Sequence, residues 1–178
     1  MKVLCFGDSN TFGYDPRDFL GGRYDFPWPR ILREHSEWDA ENLGENGREI
    51  PRFPVSFPQK ADLLIIMLGT NDLLQGNSAE SIVQRMESFL QTINLDKETL
   101  LLIAPPPMKM GAWVATQSMV DASKELTRGY QRLAKRFEIR FADAGDWHIP
   151  LAFDGVHFTE EGHRAFALAL AQYLNKGD

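Results

Sequence analysis

Ser9 follows directly on Gly7-Asp8, while Asp154 and His157, three positions apart, lie near the opposite end of the chain. A hydroxyl, an imidazole and a carboxylate are the three parts of nucleophilic acyl transfer. The imidazole removes the hydroxyl proton, and the carboxylate fixes the tautomer that can do so. In a helix or tight coil a spacing of three leaves Asp154 and His157 about one turn apart, within reach of each other. Taken singly, Ser9 is equally well explained as a turn residue, because Asp, Ser and Asn hydrogen-bond their own backbone. Asp154 likewise reads either as the partner of a base or as a helix-entry residue beside a surface histidine. Asp8 is expected to brace the turn rather than to join the triad.

Acyl transfer builds an oxyanion, and preorganised donors aimed at it contribute strongly to rate. Gly69-Thr70-Asn71-Asp72 offers the Asn71 amide, and Asn46-Gly47 offers a backbone N–H with no side chain to obstruct it. Both segments also suit ordinary turns.

These residues need a scaffold that brings distant parts of the chain together. Val3–Phe6, Leu63–Leu68 and Leu100–Ala104 are short continuous apolar runs, as expected of strands buried on both faces. Weaker strands are expected near Ala40–Leu43 and Ile139–Ala142. Between them, apolar residues recur at helical spacing: Ile82, Met86, Phe89, Leu90 and Ile93, then Val120, Leu126, Tyr130, Leu133 and Phe137, and last Phe166, Leu170 and Leu174. Ser78 reads as the N-cap of the first of these helices, and Thr159 with Glu160-Glu161 as the start of the last. A short helix is expected around Trp28, Ile31 and Leu32, entered through Pro27 and Pro29. This alternation predicts one α/β domain over residues 1–178, a three-layer α/β/α sandwich on a parallel sheet of about five strands. Ligands of such sheets bind at the carboxyl ends of the strands, near the topological switch point. Ser9 follows the first strand, Gly44 to Gly47 the second, Asn71 the third, the Pro105 loop the fourth and Asp154–His157 the fifth. All the candidate chemistry is therefore expected on one rim.

The order of these blocks resembles the SGNH (GDSL-type) hydrolase superfamily. The resemblance rests on Gly7-Asp8-Ser9, a glycine turn after the second strand, Gly69-Thr70-Asn71-Asp72 and Asp154-Gly155-Val156-His157, and it spans residues 3 to 166. Phe6–Ser9, Ile66–Asp72 and Gly155–Thr159 are similar to the small bacterial arylesterase or lysophospholipase-like branch. It implies a flavodoxin-like fold, with Ser9 as nucleophile, His157 as base and Asp154 as its orienting carboxylate. It further implies an oxyanion hole from the Ser9 N–H, the Gly47 N–H and the Asn71 side chain. Gly44 competes with Gly47, which is preferred because the family glycine usually precedes a polar pair such as Arg48-Glu49.

Composition narrows the partners. Hydrophobic residues make up 43% of the 178 positions and charged ones 25%, enough for a substantial core and an ordinary polar surface. A net charge of −6 with scattered Lys and Arg speaks against nucleic acid and anionic lipid. The longest apolar run, Leu63–Leu68, is far short of a membrane span. Lys2–Phe6 already reads as a core strand rather than a leader, and Cys5 is a lone cysteine, so the expected location is the cytoplasm. Cys5 itself is expected in the core. His157 and His163 are six apart and miss the spacing of paired metal ligands, so neither metal nor cofactor is expected. Two irregular stretches, Tyr14 to Trp28 and Pro105 to Trp113, read as pocket walls or as rigid connections. Neither holds a long apolar groove, which favours small acyl groups. The expected activity is hydrolysis of a small-molecule carboxylic ester through an acyl-enzyme on Ser9. Carbohydrate O-deacetylation, acyl transfer and ligand binding without turnover are the alternatives, and a homo-oligomer is left open.

Overall fold

Side chains alternate between the two faces of a strand, so each apolar run supplies two cores at once. The computed structural model describes residues 1–18, 20–35 and 37–176. In β1 (Lys2–Gly7), Leu4 and Phe6 enter one core and Val3 and Cys5 the other. Next come α1 (Ser9–Phe12), the small hairpin β2 (Tyr14–Asp15) and β3 (Gly22–Arg23), α2 (Trp28–Glu34) and β4 (Asp39–Gly44). They are followed by β5 (Leu63–Met67), α3 (Thr70–Leu74), α4 (Ala79–Thr92), β6 (Leu100–Ala104), α5 (Gln117–Phe137), β7 (Arg140–Asp143) and α6 (Glu160–Asn175). The first core receives Ile82, Met86 and Phe89 of α4 with Leu126, Tyr130 and Leu133 of α5. The second receives Trp28, Ile31 and Leu32 of α2 with Phe166, Leu170 and Leu174 of α6. This is the expected α/β/α sandwich.

The main sheet runs β4-β1-β5-β6-β7, every pair parallel. Chain order reverses between β1 and β5, which is the switch point where a rim crevice opens. The register aligns Gly44 of β4, Gly7 of β1 and Met67 of β5 in one row. The three segments that follow them therefore leave the sheet side by side. Ser78 and Thr159 cap α4 and α6, accepting from the N–H groups of Ser81 at 3.2 Å and Gly162 at 2.9 Å. Pro27 stands at the N-cap of α2 and Pro29 in its first turn, where a missing N–H costs nothing.

Three short elements were not readable from apolar periodicity. The turn after β1 is a one-turn helix, α1, the segment after β5 is another, α3, and the stretch from Tyr14 contains the β2–β3 hairpin. None is long enough to show a hydrophobic repeat. No described helix is long and apolar enough to cross a membrane.

Asp8 is the N-cap of α1, its carboxylate accepting from the Asn10 N–H at 3.0 Å. Burial is the largest influence on this carboxyl and pushes it up to about 6, against the opposing pull of the Asn10 N–H and of His157. Folding therefore favours protonated Asp8. Its contribution to stability is full below about pH 4 and is lost as pH rises through about 6. Asp8→Asn removes this titration. The stability of the variant relative to the parent should rise by about 3 kcal/mol from acid to neutral pH in urea titrations; parallel profiles would contradict the assignment. Tyr130, buried in α5, donates its hydroxyl to the Leu68 carbonyl at 3.1 Å, just before the turn that carries Asn71. Tyr130→Phe leaves that carbonyl without this donor and should destabilise by about 1 kcal/mol, read from the shift in denaturation midpoint.

Candidate active site

Ser9 opens α1, so its backbone is fixed before its side chain is considered. The Asp8 carbonyl accepts from the Thr11 and Phe12 N–H groups, and the Ser9 carbonyl from that of Gly13 at 2.8 Å. The hydroxyl leaves this turn toward the segment after β7. There Asp154 divides its carboxylate. Oδ1 accepts from the N–H groups of Val156 and His157, both at 2.9 Å, and shapes the local turn. Oδ2 lies 2.6 Å from His157 Nδ1, and His157 Nε2 lies 3.0 Å from Ser9 Oγ. The carboxylate can only accept from Nδ1–H, so the neutral ring presents the Nε2 lone pair to the serine hydroxyl. All three side chains are buried. Burial alone would raise the Asp154 carboxyl, but the hydrogen bonds from the His157 ring and from the two N–H groups together hold it below its ordinary value.

Gly155 turns this segment with φ +81, and a Cβ there would fall 1.9 Å from the Lys109 carbonyl oxygen. That clearance lets the loop after β6 run against it. Lys109 N–H donates to Gly155 O at 2.9 Å, Ala112 N–H to Phe153 O at 3.1 Å and Trp113 N–H to Asp154 O at 3.1 Å. Trp113 is thereby set edge-on to the His157 ring, with centroids 4.9 Å apart, and Tyr14 packs against the same ring at 4.7 Å. The two irregular stretches thus each send an aromatic ring to His157.

The donors occupy the other side of the rim. Gly44 lies against α1, where a Cβ would come 2.1 Å from the Phe12 nitrogen, and its own N–H donates to Asn42 Oδ1 at 2.9 Å. Gly47 has φ +73, and a Cβ there would meet nothing within 4 Å. Among the described residues, neither the Ser9 nor the Gly47 N–H donates to a protein acceptor. Asn71 turns its Nδ2 toward the Arg48 carbonyl at 3.1 Å, leaving the second hydrogen of that amide free to donate. Next to it, buried Asp72 accepts from Ile50 N–H at 3.1 Å and from Arg85 at 2.6 Å, fixing the 48–50 segment over α3.

Sequence reasoning passed over Asn10. Its side chain donates to the Val156 carbonyl at 3.1 Å and accepts from the Phe158 N–H at 2.8 Å, so it grips the chain on both sides of His157. Being next to Ser9 was the one available signal, and it says nothing about the far end of the chain. His163, buried behind the site, accepts from the Trp28 N–H at 3.3 Å, and burial lowers it to about 3, so it stays neutral. Cys5 is buried in β1, and burial raises its thiol far from reactivity. No three His, Cys, Asp or Glu residues among those described could together hold a metal ion. A cleft of about 590 Å³ lined by Ala79, Val83, Gly129 and Arg132 lies apart from these residues.

Solved structures share this arrangement of elements over nearly the whole chain. The native Mycobacterium smegmatis aryl esterase superposes with a TM-score of 0.80 at 25% identity, covering 98% of each chain. A carbohydrate acetylesterase family member from Sinorhizobium meliloti superposes with a TM-score of 0.79, also at 25% identity, covering 98% of this chain and 97% of its own. No curated protein matches the sequence significantly. The family model for GDSL-like lipases and acylhydrolases matches residues 5–165, which contain every residue of the rim described above, and the chain belongs to that family.

Proposed function

We propose that this ester-bond hydrolase works through an acyl-enzyme on Ser9, with His157 as general base and acid and Asp154 as the carboxylate that orients it. The observation that carries the reading is the buried line from Asp154 Oδ2 through His157 to Ser9 Oγ, at 2.6 and 3.0 Å. Ser9 Oγ attacks the ester carbonyl as its proton passes to Nε2. The tetrahedral oxyanion is received by the Ser9 N–H, the Gly47 N–H and the Asn71 amide. Gly47 suits this better than Gly44, whose N–H is already engaged. Collapse expels the alcohol, which takes the proton from His157. Water then attacks the acyl-enzyme, gives its proton to the same nitrogen, and the carboxylic acid leaves as Ser9 is reprotonated.

Small acyl groups fit the crowding of two aromatic rings against the imidazole. A second reading, removal of acetyl groups from sugars, is favoured by the likeness to the Sinorhizobium meliloti carbohydrate acetylesterase family member. It needs the same residues and differs only in the alcohol. The acidic surface and lone cysteine support a cytoplasmic enzyme acting on a small molecule rather than on nucleic acid or membrane.

Two substitutions test the roles. Ser9→Ala should abolish hydrolysis of p-nitrophenyl acetate above the rate of residual binding-assisted reaction. Asp154→Asn should keep the fold and lower kcat by about 10⁴-fold, because an amide can hold the ring in the wrong tautomer. Circular dichroism checks the fold, and comparison of p-nitrophenyl acetate, longer acyl esters and acetylated sugars decides between the substrates. Full activity in either variant removes that residue from the mechanism.

A further inference from the structure

The Gly47 N–H can serve an oxyanion only if something holds its turn, and Gly47 itself makes no backbone hydrogen bond to another described residue. Space around the position of its Cβ is empty to 4 Å. The turn closes with a long hydrogen bond, Arg48 N–H to Glu45 O at 3.3 Å. What anchors it is the next side chain. Arg48 folds back beneath its own turn, where Nη1 donates to the Gly7 carbonyl at 2.9 Å and to the Leu43 carbonyl, and Nη2 to Glu45 Oε2 at 2.6 Å. Its guanidinium carbon lies 4.3 Å over the Phe6 ring, and the side chain is only 19% exposed. Gly7 also accepts from the Glu45 N–H at 3.2 Å, so the strand end leading to Ser9 binds the turn twice. On the far side, the Arg48 carbonyl accepts from Asn71 Nδ2 at 3.1 Å.

We propose that Arg48 is a positioning residue for the oxyanion donors. Its guanidinium ties the end of β4 to the end of β1, its backbone carries Gly47, and its carbonyl orients the Asn71 amide. The inference rests on the serine esterase reading, and it assigns to one residue the relative placement of all three donors. A planar fork of donors reaches two carbonyls and a carboxylate at once, which a lysine ammonium does not reproduce.

The test separates placement of an oxyanion from general stability. Phenylboronic acid is the probe: Ser9 Oγ adds to boron, its proton passes to His157, and the resulting tetrahedral boronate carries its negative charge where the oxyanion forms. Arg48→Met keeps an apolar stem on Phe6 and removes every donor. It should lower kcat for p-nitrophenyl acetate by about 10- to 100-fold and weaken phenylboronic acid by a similar factor, with KM nearly unchanged. Arg48→Lys should remain impaired in the same two readouts, and it stands in if the Met variant does not fold. The proposal is overturned if the folded variants keep the parent kcat and boronate affinity, or if KM rises while kcat holds. A parent enzyme that neither hydrolyses the ester nor binds the boronate would instead overturn the serine esterase reading itself.

Discussion

Asp154 has two carboxylate oxygens, and the site depends on their serving different partners. Oδ1 takes the N–H groups of Val156 and His157 and so creates the turn that projects the imidazole; Oδ2 takes the Nδ1 proton and so decides what Nε2 can do. A carboxylate with no exposed surface would be costly if either oxygen were left without donors. With three donors it stays ionised, and in the proposed mechanism its charge stabilises the imidazolium that forms when the serine proton arrives. One residue therefore sets both the shape and the electrostatics of the base.

Other contacts in the rim hold His157 and its neighbours in place from parts of the chain that are remote in sequence. The sheet register brings Gly44, Gly7 and Met67 level, which sets the coarse geometry. Finer placement is made by polar side chains acting on backbone: Asn10 on the chain flanking His157, Asp72 on Ile50, Arg48 on Gly7 and Leu43. Such contacts are individually modest, but Asn10 thereby partners the Val156 carbonyl and the Phe158 N–H, and Asp72 the Ile50 N–H. The loop after β6 adds backbone bonds to Phe153, Asp154 and Gly155 from the opposite side. The segment bearing Asp154 and His157 is thus gripped by α1 and by that loop together.

Much of this was legible in the sequence, for definite physical reasons. Continuous apolar runs of strand length, bounded by turn residues, suit strands covered on both faces, so β1, β5 and β6 stand out, and the order of the loops after them follows from the parallel sheet. Ser9, Asn71, Asp154 and His157 stand out as candidates because few residue types can do the proposed chemistry, and the structure brings His157 within hydrogen-bonding distance of Asp154 on one side and of Ser9 on the other. Asn10 and Arg48 were not visible in these roles. Their partners are backbone groups, which every residue carries, so no pairing of residue types betrays the contact. The choice between Gly44 and Gly47 was likewise obscure as letters. In the structure one glycine is consumed by close packing on α1 with its N–H engaged, and the other is a bare turn with its N–H unspent.

In the proposed mechanism Ser9 alone becomes a nucleophile, activated by a base nearly the whole chain away. The most direct measurement is peptide mass spectrometry after exposure to a p-nitrophenyl alkylphosphonate. A single stable adduct is expected on the peptide bearing Ser9, formed as the hydroxyl displaces p-nitrophenolate, and none when the histidine is replaced. An adduct on another residue, or an unmodified Ser9 in a protein that still hydrolyses esters, would contradict it.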